Sequence, residues 1–379
     1  MRVVSGQDRY PWRPGNRFEL LVDGSRFYPA MLDAIAAAER YILVETYLIS
    51  SGAVSTRFLQ ALRAAAERGV EVYVLLDAFG ALGLTRADRE YLSGGGIQVR
   101  YFNPLKYRNW LRNLFRDHRK LLLADGQIAF VGGAGITDDF APEHGRGWHD
   151  VMVQIEGPVL ADWEALFRGE WRRSGGGALA PQGSRAGPIG DALGRVSVSG
   201  AFRKQEVKRS LIKEIRGAEQ RVWMATAYFL PSWKIRRALG RAAARGVDVR
   251  LLLPGPLTDH PSVRHAGRRH YTRLLRRGVR VFEYAPDFLH TKAYLCDRWT
   301  SIGSSNMDRW NLRWNLEANQ EVIDKRFTGT VAEMFEQDFT QSMEWSYALW
   351  RRRPWYLRAQ EWLWGYVDVA LERLGRLRR

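Results

Sequence analysis

The sequence predicts an α/β fold of two pseudo-symmetric lobes, each a mostly parallel sheet flanked by helices. Two observations lead to this prediction. First, the segment AAERGVEVYVLLD at 65–77 recurs as AAARGVDVRLLLP at 242–254, and further landmarks recur in the same order around both copies. Second, each copy lies in a strand–helix–strand pattern, and successive βαβ units form parallel sheets covered by helices. A period this long indicates a duplicated domain rather than a solenoid.

The first copy justifies the individual elements. The stretches YILVETYLI (41–49) and VEVYVLLD (70–77) are short, apolar and rich in β-branched residues, which is typical of buried strands. Between them, STRFLQALRAAAERG (55–69) has apolar residues at helical spacing and ends at Gly69. This pattern predicts a helix with a glycine C-cap.

The two copies are joined by a segment of different composition. SGGGALAPQGSRAGPIG (174–190) is rich in Gly, Pro and Ser and has almost no apolar periodicity, which is typical of a linker. We therefore expect a first lobe at 1–173, a linker at 174–195, a second lobe at 196–345 and a Trp/Arg-rich C-terminal helical segment at 346–379.

Composition and charge limit the function. The chain of 379 residues carries a net charge of +17, so an anionic partner is expected, either nucleic acid or a membrane with acidic lipids. The single cysteine, Cys296, excludes an intramolecular disulfide framework and a cysteine-based zinc site. No run of 18 apolar residues is present, so no transmembrane helix is expected. If the partner is a membrane, the protein lies on its surface.

Each lobe carries one copy of a His-x-Lys-x4-Asp pattern followed by a turn of small residues. His and Lys two residues apart in a strand point to the same face, so both can project into one pocket. A single His-x-Lys is usually solvated surface, but two copies with identical spacing at matching places of a repeat indicate a site. The residues are His118, Lys120 and Asp125 before Gly132 and Gly133, and His290, Lys292 and Asp297 before Gly303, Ser304 and Asn306.

These motifs carry a family resemblance. The duplicated pattern resembles the phospholipase D superfamily, and the chain is most similar to bacterial cardiolipin synthases of the type that lacks N-terminal transmembrane helices. DHRKLLLADGQIAFVGGAGI (117–136) and LHTKAYLCDRWTSIGSSNMDRWNLRWNLEANQEV (289–322) resemble the two motifs of that family. GWHDVMVQIEGPVLADWEALFRGEW (147–171) resembles the stretch after the first motif. The likeness covers about 15–345.

The resemblance implies a reaction and a place for it. An active site at the lobe interface would make cardiolipin from phosphatidylglycerol through a phosphohistidine, with release of glycerol and without metal or cofactor. One histidine attacks phosphorus and the other protonates the leaving alcohol and then activates the incoming one. By resemblance the nucleophile is His118 and the general acid/base is His290, although the symmetry of the motifs leaves the reverse order open. Lys120 and Lys292 would supply positive charge.

The remaining motif residues have supporting roles by resemblance. Ser304 and Asn306 are expected to donate hydrogen bonds to the phosphate. A downstream carboxylate is expected to hold each histidine by its second nitrogen: Glu321 for one site, and Asp150 or Glu143 for the other, with Asp150 favoured by its Trp-x-Asp context. Asp125 and Asp297 belong to the motif, and they are expected mainly to support the fold.

One position departs from the family pattern. Gly135 stands where the family has Asn, so one donor to the phosphate is missing from the first motif. Both His-Lys pairs are intact, and an active enzyme is still expected. We therefore expect Gly135→Asn to be tolerated, with turnover unchanged or higher.

The expected partners follow from this interpretation. They are an anionic phospholipid substrate (phosphatidylglycerol), a membrane surface on the cytoplasmic face of a bacterial inner membrane and, optionally, a second copy of the chain; nucleic acid is not expected. The C-terminal segment would anchor at the membrane interface or pack on the protein itself. Alternative functions are a phospholipase D that hydrolyses phospholipids, a nuclease of the same superfamily and a non-catalytic lipid-binding scaffold.

Overall fold

The structure is a computed structural model, and it describes residues 9–105, 113–141, 147–179, 186–200, 204–308, 315–355, 361 and 364. The strands of the first lobe are β1 (Arg13–Val22), β2 (Tyr41–Thr46), β3 (Glu71–Asp77), β4 (Gln98–Phe102), β5 (Leu121–Ala124), β6 (Ile128–Gly132) and β7 (Val151–Glu156). Its helices are α1 (Gly24–Ala37), α2 (Ala53–Glu67), α3 (Arg86–Ser93) and α4 (Leu160–Arg173).

The second lobe repeats this order and adds elements at its end. Its strands are β8 (Ala192–Gly200), β9 (Lys204–Gln205), β10 (Arg221–Ala225), β11 (Asp248–Pro254), β12 (Arg280–Tyr284), β13 (Ala293–Cys296), β14 (Trp299–Gly303), β15 (Glu317–Ile323) and β16 (Ser342–Trp345). Its helices are α5 (Glu206–Gly217), α6 (Trp233–Ala244), α7 (Pro261–Arg268), α8 (Tyr271–Leu275), α9 (Lys325–Thr340) and α10 (Tyr347–Arg351).

The sheet makes the duplication visible. Outward from the centre, the first lobe has the order β1-β7-β6-β5-β2-β3-β4 and the second has β8-β15-β14-β13-β10-β11-β12, with β16 added at the edge. The two halves join through the antiparallel pair of β1 and β8. Strands at equivalent positions of the two lobes therefore correspond one to one, and the predicted α/β fold of two pseudo-symmetric lobes is confirmed.

The sheet is mixed rather than mostly parallel, and that detail of the prediction is wrong. Among the strands of the described residues, only β2–β3–β4 and β10–β11–β12 pair in parallel. After these units each chain returns through short hairpins, in which β5 pairs antiparallel with β2 and β13 with β10. The first hairpin turns at Asp125 and Gly126, whose φ angles are 54° and 65°. An Asp-Gly pair with positive φ is a strong hairpin signal, and it was available in the sequence.

The predicted elements of the first copy are confirmed with small shifts of their bounds. The helix expected over 55–69 is α2, and Gly69 beyond its end has a φ of 91°, the left-handed conformation that a glycine C-cap requires. The linker expected over 174–195 is shorter at its end, because β8 already begins at Ala192. Residues 180–185 of that linker lie outside the described residues.

Three apolar cores hold the layers together. One lies within each lobe, where helices cover the outer face of the sheet. The third is shared, and it packs α4 and α9 with strands of both lobes, for example Val153 of β7 with Val196 of β8 and Phe335 of α9. Because this core draws on both halves of the chain, the two lobes are fixed relative to each other.

Only the start of the predicted C-terminal segment is described, and most of 346–379 lies outside the described residues. Trp350 of α10 is buried, and its indole Nε1 donates to Thr272 Oγ1 at 2.9 Å. Glu361 pairs with Arg268 of α7 at 3.2 Å. These contacts place the described part of the segment against the second lobe. None of the helices within the described ranges combines the length and the hydropathy needed to cross a bilayer.

Candidate active site

The two His-x-Lys pairs stand at equivalent edges of the sheet. His118 and Lys120 directly precede β5, and His290 and Lys292 directly precede β13. Since β5 and β13 run antiparallel to β2 and β10, both pairs lie at the carboxyl ends of the parallel strands. Each lysine bends back toward its own histidine: Lys120 Nζ donates to the His118 carbonyl at 2.7 Å, and Lys292 Nζ donates to the His290 carbonyl.

Each histidine is anchored by the opposite lobe. The His118 backbone N–H donates to the Leu316 carbonyl at 3.0 Å, and His118 Nδ1 lies 3.2 Å from the carboxylate of the next residue, Glu317. The His290 backbone N–H donates to the His149 carbonyl at 2.8 Å, and its Nδ1 lies 2.6 Å from Asp150 Oδ2. The crossed contacts bring both motifs to the interface between the lobes, where the site was predicted.

Burial sets the protonation of the histidines. It lowers the pKa of His118, opposed by the nearby Glu317 carboxylate, and it lowers the pKa of His290 far below its usual range, with a further contribution from Lys292. Both imidazoles are therefore neutral near pH 7. A neutral ring that donates Nδ1–H to a carboxylate leaves the lone pair of Nε2 for attack or for proton transfer. In His290 this lone pair faces Lys292 Nζ at 3.1 Å.

The lysines and Asp150 respond to the same burial. It lowers the pKa of Lys120 to about 7, and Lys292 adds to the lowering by repulsion. The pKa of Lys292 falls to about 8, again mainly because of burial. Burial also raises the pKa of Asp150 to about 6, against the attraction of Lys292. The interactions between residues of both motifs show that one pocket holds both lysines.

Aromatic side chains surround the histidines unequally. Tyr47 packs on His118 with ring centroids 4.7 Å apart. His290 contacts Phe140, Trp148 and Phe288 at centroid distances of 5.3, 5.1 and 5.7 Å. The sequence pointed only to Trp148, through the Trp-x-Asp pattern, because the other rings come from separate loops without a motif. The enclosure limits access of water to His290.

The two predicted phosphate donors differ in their engagement. The Ser304 hydroxyl accepts from the Ala318 backbone N–H at 3.1 Å, and the Ser304 carbonyl lies 3.3 Å from His118 Nδ1. Asn306 is buried, and its Oδ1 accepts from Thr226 at 3.3 Å. Within the described part of the chain, Asn306 Nδ2 has no hydrogen-bond partner. A buried amide donor of this kind is available to a ligand, whereas the Ser304 side chain already serves the sheet.

The prediction that Glu321 holds a histidine is wrong. Glu321 pairs with Arg195 at 2.6 Å, and the carboxylate at His118 belongs to Glu317. Both acids lie on one face of β15, but four residues span about 13 Å of strand. The pseudo-symmetry could have identified Glu317. This residue is the first of β15, and Asp150 stands directly before β7, the equivalent strand of the first lobe. The alternative partner Glu143 lies outside the described residues.

Asp125 and Asp297 lie away from the histidines, at the far ends of β5 and β13. Asp125 accepts backbone N–H donors from the start of β2, with Tyr41 N at 2.8 Å. Asp297 makes the equivalent bond to Arg221 N at 2.9 Å. Asp125 also accepts from the backbone N–H groups of Glu39 and Arg40, and Asp297 accepts from those of Glu219 and Gln220. These aspartates fix the junction between a helix and a strand, and they do not line the site.

The expected tolerance of Gly135→Asn is contradicted by packing. A Cβ at Gly135 would lie 2.5 Å from the Leu48 carbonyl oxygen and 2.8 Å from Leu48 Cβ. The same carbonyl accepts from the Ile136 backbone N–H at 2.9 Å, which holds the two segments together. Glycine is therefore required here by the close approach of backbone, and Asn cannot enter without displacing the segment that follows β2.

No group of three or more His, Cys, Asp or Glu side chains in the described ranges is arranged to hold a metal ion.

Known proteins are similar to this chain over most of its length. The family model described as "Cardiolipin synthase, PLD-like domain" matches residues 31–171 and 211–339. Cardiolipin synthase A of Pseudomonas aeruginosa is 36% identical over 353 residues, which cover 91% of this chain and 71% of that protein. Cardiolipin synthase B of Salmonella typhi is 35% identical over 336 residues, 85% of this chain and 80% of that protein.

Solved structures share the fold at lower identity. The chain superposes on the phosphatidylserine synthase of Haemophilus influenzae with a TM-score of 0.72 and 15% identity, over 94% of each chain. The polyphosphate kinase of Porphyromonas gingivalis gives a TM-score of 0.60 and 17% identity, over 94% of this chain and 53% of that chain. At these identities the likeness concerns the fold alone.

Proposed function

We propose that this chain, which belongs to the cardiolipin synthase family of phospholipase D-like proteins, is a phosphatidyltransferase that joins two phosphatidylglycerol molecules into cardiolipin and releases glycerol. The observation that carries the proposal is the crossed arrangement of two histidines, each held by a carboxylate of the other lobe, with two lysines in the same buried pocket. This pocket provides a nucleophile, a proton carrier and positive charge, which phosphodiester exchange requires.

In the first half-reaction, Nε2 of His118 attacks phosphorus and forms a P–N bond. The bond from phosphorus to the glycerol headgroup breaks, and His290, protonated as the anionic substrate enters, gives its proton to the departing oxygen. Glu317 accepts the Nδ1–H of His118 and balances the positive charge that the ring acquires.

In the second half-reaction, the terminal hydroxyl of another phosphatidylglycerol loses its proton to His290 and attacks phosphorus. The P–N bond breaks, His118 returns to its neutral form, and cardiolipin leaves. Asp150 fixes the tautomer of His290 through both steps. The reverse assignment of the histidines uses the same atoms, and trapping of the intermediate decides between the two.

The remaining polar groups stabilise charge on the phosphoryl oxygens. Lys120 and Lys292 supply cations, and the buried Asn306 amide supplies a neutral donor. The aromatic enclosure of His290 by Phe140, Trp148 and Phe288 favours a lipid alcohol over water as the acceptor. Transfer is therefore the main reaction and hydrolysis a side reaction.

The chain is proposed to act as a peripheral protein on the cytoplasmic face of a bacterial inner membrane. Its surplus of positive charge favours contact with anionic lipid. A substrate with two acyl chains also requires that the site meet a bilayer.

The test is incubation of the purified chain with phosphatidylglycerol vesicles, followed by mass analysis of lipids and glycerol. Equal amounts of cardiolipin and glycerol are expected, and a His118→Ala, His290→Ala double variant serves as the inactive control. Phosphatidic acid without cardiolipin would identify a phospholipase D instead. Turnover of oligonucleotides but not of lipid would overturn the assignment.

A further inference from the structure

Large apolar side chains are exposed around the mouth of the site, on loops of both lobes. Their exposed fractions run from 39% to 56%. We call this set the apolar rim; its members are Phe79, Leu82, Leu105, Leu114, Trp233 and Leu257.

The strand order places the whole rim at one edge of the sheet. Phe79 and Leu82 follow β3, and Leu105 follows β4. Leu114 lies between β4 and β5, so all four belong to connections at the carboxyl ends of parallel strands. Glu45 near the end of β2 lies opposite Leu121, which starts β5 directly after the first His-x-Lys. The first-lobe rim therefore shares its edge with His118.

The second lobe repeats this placement. Ala225 at the end of β10 lies opposite Ala293, which directly follows the second His-x-Lys. Trp233 begins the helix after β10, and Leu257 follows β11. Because each histidine is held by the opposite lobe, the two edges meet at the site, and the rim flanks it on both sides.

Single exposed apolar residues are ordinary, but these are six of the thirteen large apolar side chains exposed in the described chain, and they share one edge. These side chains come from separate connections of both lobes and, for Trp233, from the start of α6, and they flank a site whose proposed substrate has acyl chains. Insertion into a bilayer would remove their surface from water at the place where the lipid must enter.

An arginine groove begins at the rim residue Trp233 and runs along α6 and α8 toward the other edge of the sheet. A cavity of about 1300 Å³ separates α6 from the segment of α7 and α8, and Trp233 lines it as well as the rim. No acidic residue of the described chain lines it. Its exposed cations are Arg237, Arg241, Arg273, Arg276 and Arg277, and none of these makes an ion pair with a carboxylate of the described residues. Arg237 stacks on Trp233 with its guanidinium carbon 4.8 Å from the ring centre.

We propose that this edge of the protein docks on a membrane surface rich in anionic phospholipid, with the apolar rim in the acyl-chain region and the arginine groove, which leads away from the rim at Trp233, among the phosphate headgroups. The proposal rests on the proposed function for the nature of the lipid. Paired Trp and Arg at the boundary match the amphipathic interface of a bilayer. Nucleic acid would satisfy the groove but leave the rim in water, so the membrane accounts for both features.

Fluorescence at single positions tests the rim. Cys296 is buried, so an introduced cysteine can be labelled selectively with an environment-sensitive fluorophore such as NBD. We choose Leu82→Cys and Leu257→Cys, one for each lobe. Ile189→Cys is the control, because Ile189 is 49% exposed and its backbone N–H bonds to Gly15 near the start of β1, at the opposite edge. Phosphatidylglycerol vesicles should shift emission to the blue at both rim positions and leave the control unchanged.

Charge removal tests the groove. The variant R237Q/R241Q/R273Q/R276Q is compared with R216Q/R298Q/K325Q/R326Q, which removes the same charge from exposed positions at the opposite edge. Each cation near an anionic surface strengthens binding, so the groove variant should bind vesicles of equal phosphatidylglycerol and phosphatidylcholine roughly tenfold or more weakly. The control should bind as the unaltered chain does. Turnover on vesicles, relative to turnover of a water-soluble short-chain phosphatidylglycerol, should fall in the groove variant only.

Several results would overturn the docking face. They are equal shifts at rim and control positions, no shift at the rim, equal losses of binding in the two charge variants, and groove-dependent binding of an oligonucleotide that vesicles do not displace. Fluorescence and binding require no turnover. If the chain docks through the rim but converts no phosphatidylglycerol, the proposed reaction fails alone; if it converts phosphatidylglycerol without a rim shift, the docking face fails alone.

Discussion

The two halves of the site contain the same residue types in different surroundings. Among the described residues, His118 faces a glutamate at 3.2 Å and one aromatic ring, whereas His290 faces an aspartate at 2.6 Å and three rings. The shorter contact holds the ring of His290 more firmly. Duplication therefore produced two histidines that are equivalent in position but different in chemistry, which a two-step transfer requires.

The turns after the motifs differ in a related way. A Cβ at Gly133 would lie 2.4 Å from Asp150 Oδ2, so the first lobe has no room for a side chain beside its short carboxylate. In the second lobe Ser304 occupies the equivalent turn, and the longer Glu317 reaches His118. Each carboxylate thus matches the turn next to it. A variant in which one of these residues is replaced by its counterpart from the other lobe should lose this fit.

The largest expected effect is the loss of either histidine. His118→Ala and His290→Ala should each reduce turnover of phosphatidylglycerol by a factor on the order of 10⁴ or more, because residues that act as one catalytic unit are not replaced by the others. Melting curves of both variants control for folding.

The difference between the histidines appears with a better leaving group. A phosphatidyl ester of p-nitrophenol needs no proton for departure, so His290→Ala should still release a burst of p-nitrophenol, whereas His118→Ala should not. Acid trapping of labelled lipid should mark His118. A burst in His118→Ala and a label on His290 would reverse the roles.

Removal of the carboxylate charges compares the halves directly. Asp150→Asn should lower kcat roughly a hundredfold and Glu317→Gln about tenfold, because the Asp150 contact is the shorter one. Glu321→Gln is the matched control: it weakens a buried pair with Arg195, so it should lower the melting temperature while the folded protein keeps its kcat. A larger effect on kcat from Glu321→Gln than from Glu317→Gln would contradict the pairing seen in the structure.

Local patterns predicted much of this architecture, and long-range register decided the rest. The repeat, the helix ending at Gly69 and the two His-Lys pairs are visible in short stretches of sequence. The choice between Glu317 and Glu321 is not, because both lie on one face of β15. The pairing of β15 with β8 places Glu321 opposite Arg195 and Glu317 opposite Ser199 near the site. That register depends on residues more than a hundred positions away.

The close approach at Gly135 was hidden for the same reason. Its neighbour Leu48 lies in another loop, and the sequence alone gave no reason to exclude a side chain. The resemblance to the family suggested that a hydrogen-bond donor to the phosphate is missing at this position, whereas the structure shows that a side chain has no room there.

Gly135→Asn should therefore be destabilising. Forcing a side chain against backbone costs about 1–3 kcal/mol, which should appear as a lower melting temperature together with reduced turnover. Gly187→Asn is the control, because no atom lies within 4 Å of a Cβ there. Unchanged stability and activity in Gly135→Asn would show that the Leu48 segment moves readily, and the two turns would then be more alike than their packing indicates.

The smallest expected effect separates the two lysines by pH. Burial lowers the pKa of Lys120 to about 7 and the pKa of Lys292 to about 8. The carboxylates of Asp150 and Glu317 oppose both shifts, and repulsion from Lys292 lowers the pKa of Lys120 further. A lysine carries its charge below its pKa, so the positive charge around the phosphate is lost as pH rises through this range. The value of kcat/KM, which reports groups of the free enzyme, should fall on the alkaline side of about pH 7.

Arginine keeps its charge throughout this range, so Lys120→Arg should move the alkaline limb of kcat/KM to higher pH, and Lys292→Arg should move it less. The change in kcat/KM at any one pH should stay below about tenfold, since one unit of pKa corresponds to 1.36 kcal/mol. The acid limb should stay in place in both variants, because it reports His118, which must be neutral to attack phosphorus and whose pKa lies below the usual range. If instead Lys292→Arg moved the limb more than Lys120→Arg, Lys292 would have the lower pKa of the two lysines. The order of the two pKa values would then be the reverse of the one that burial and the repulsion between the lysines produce.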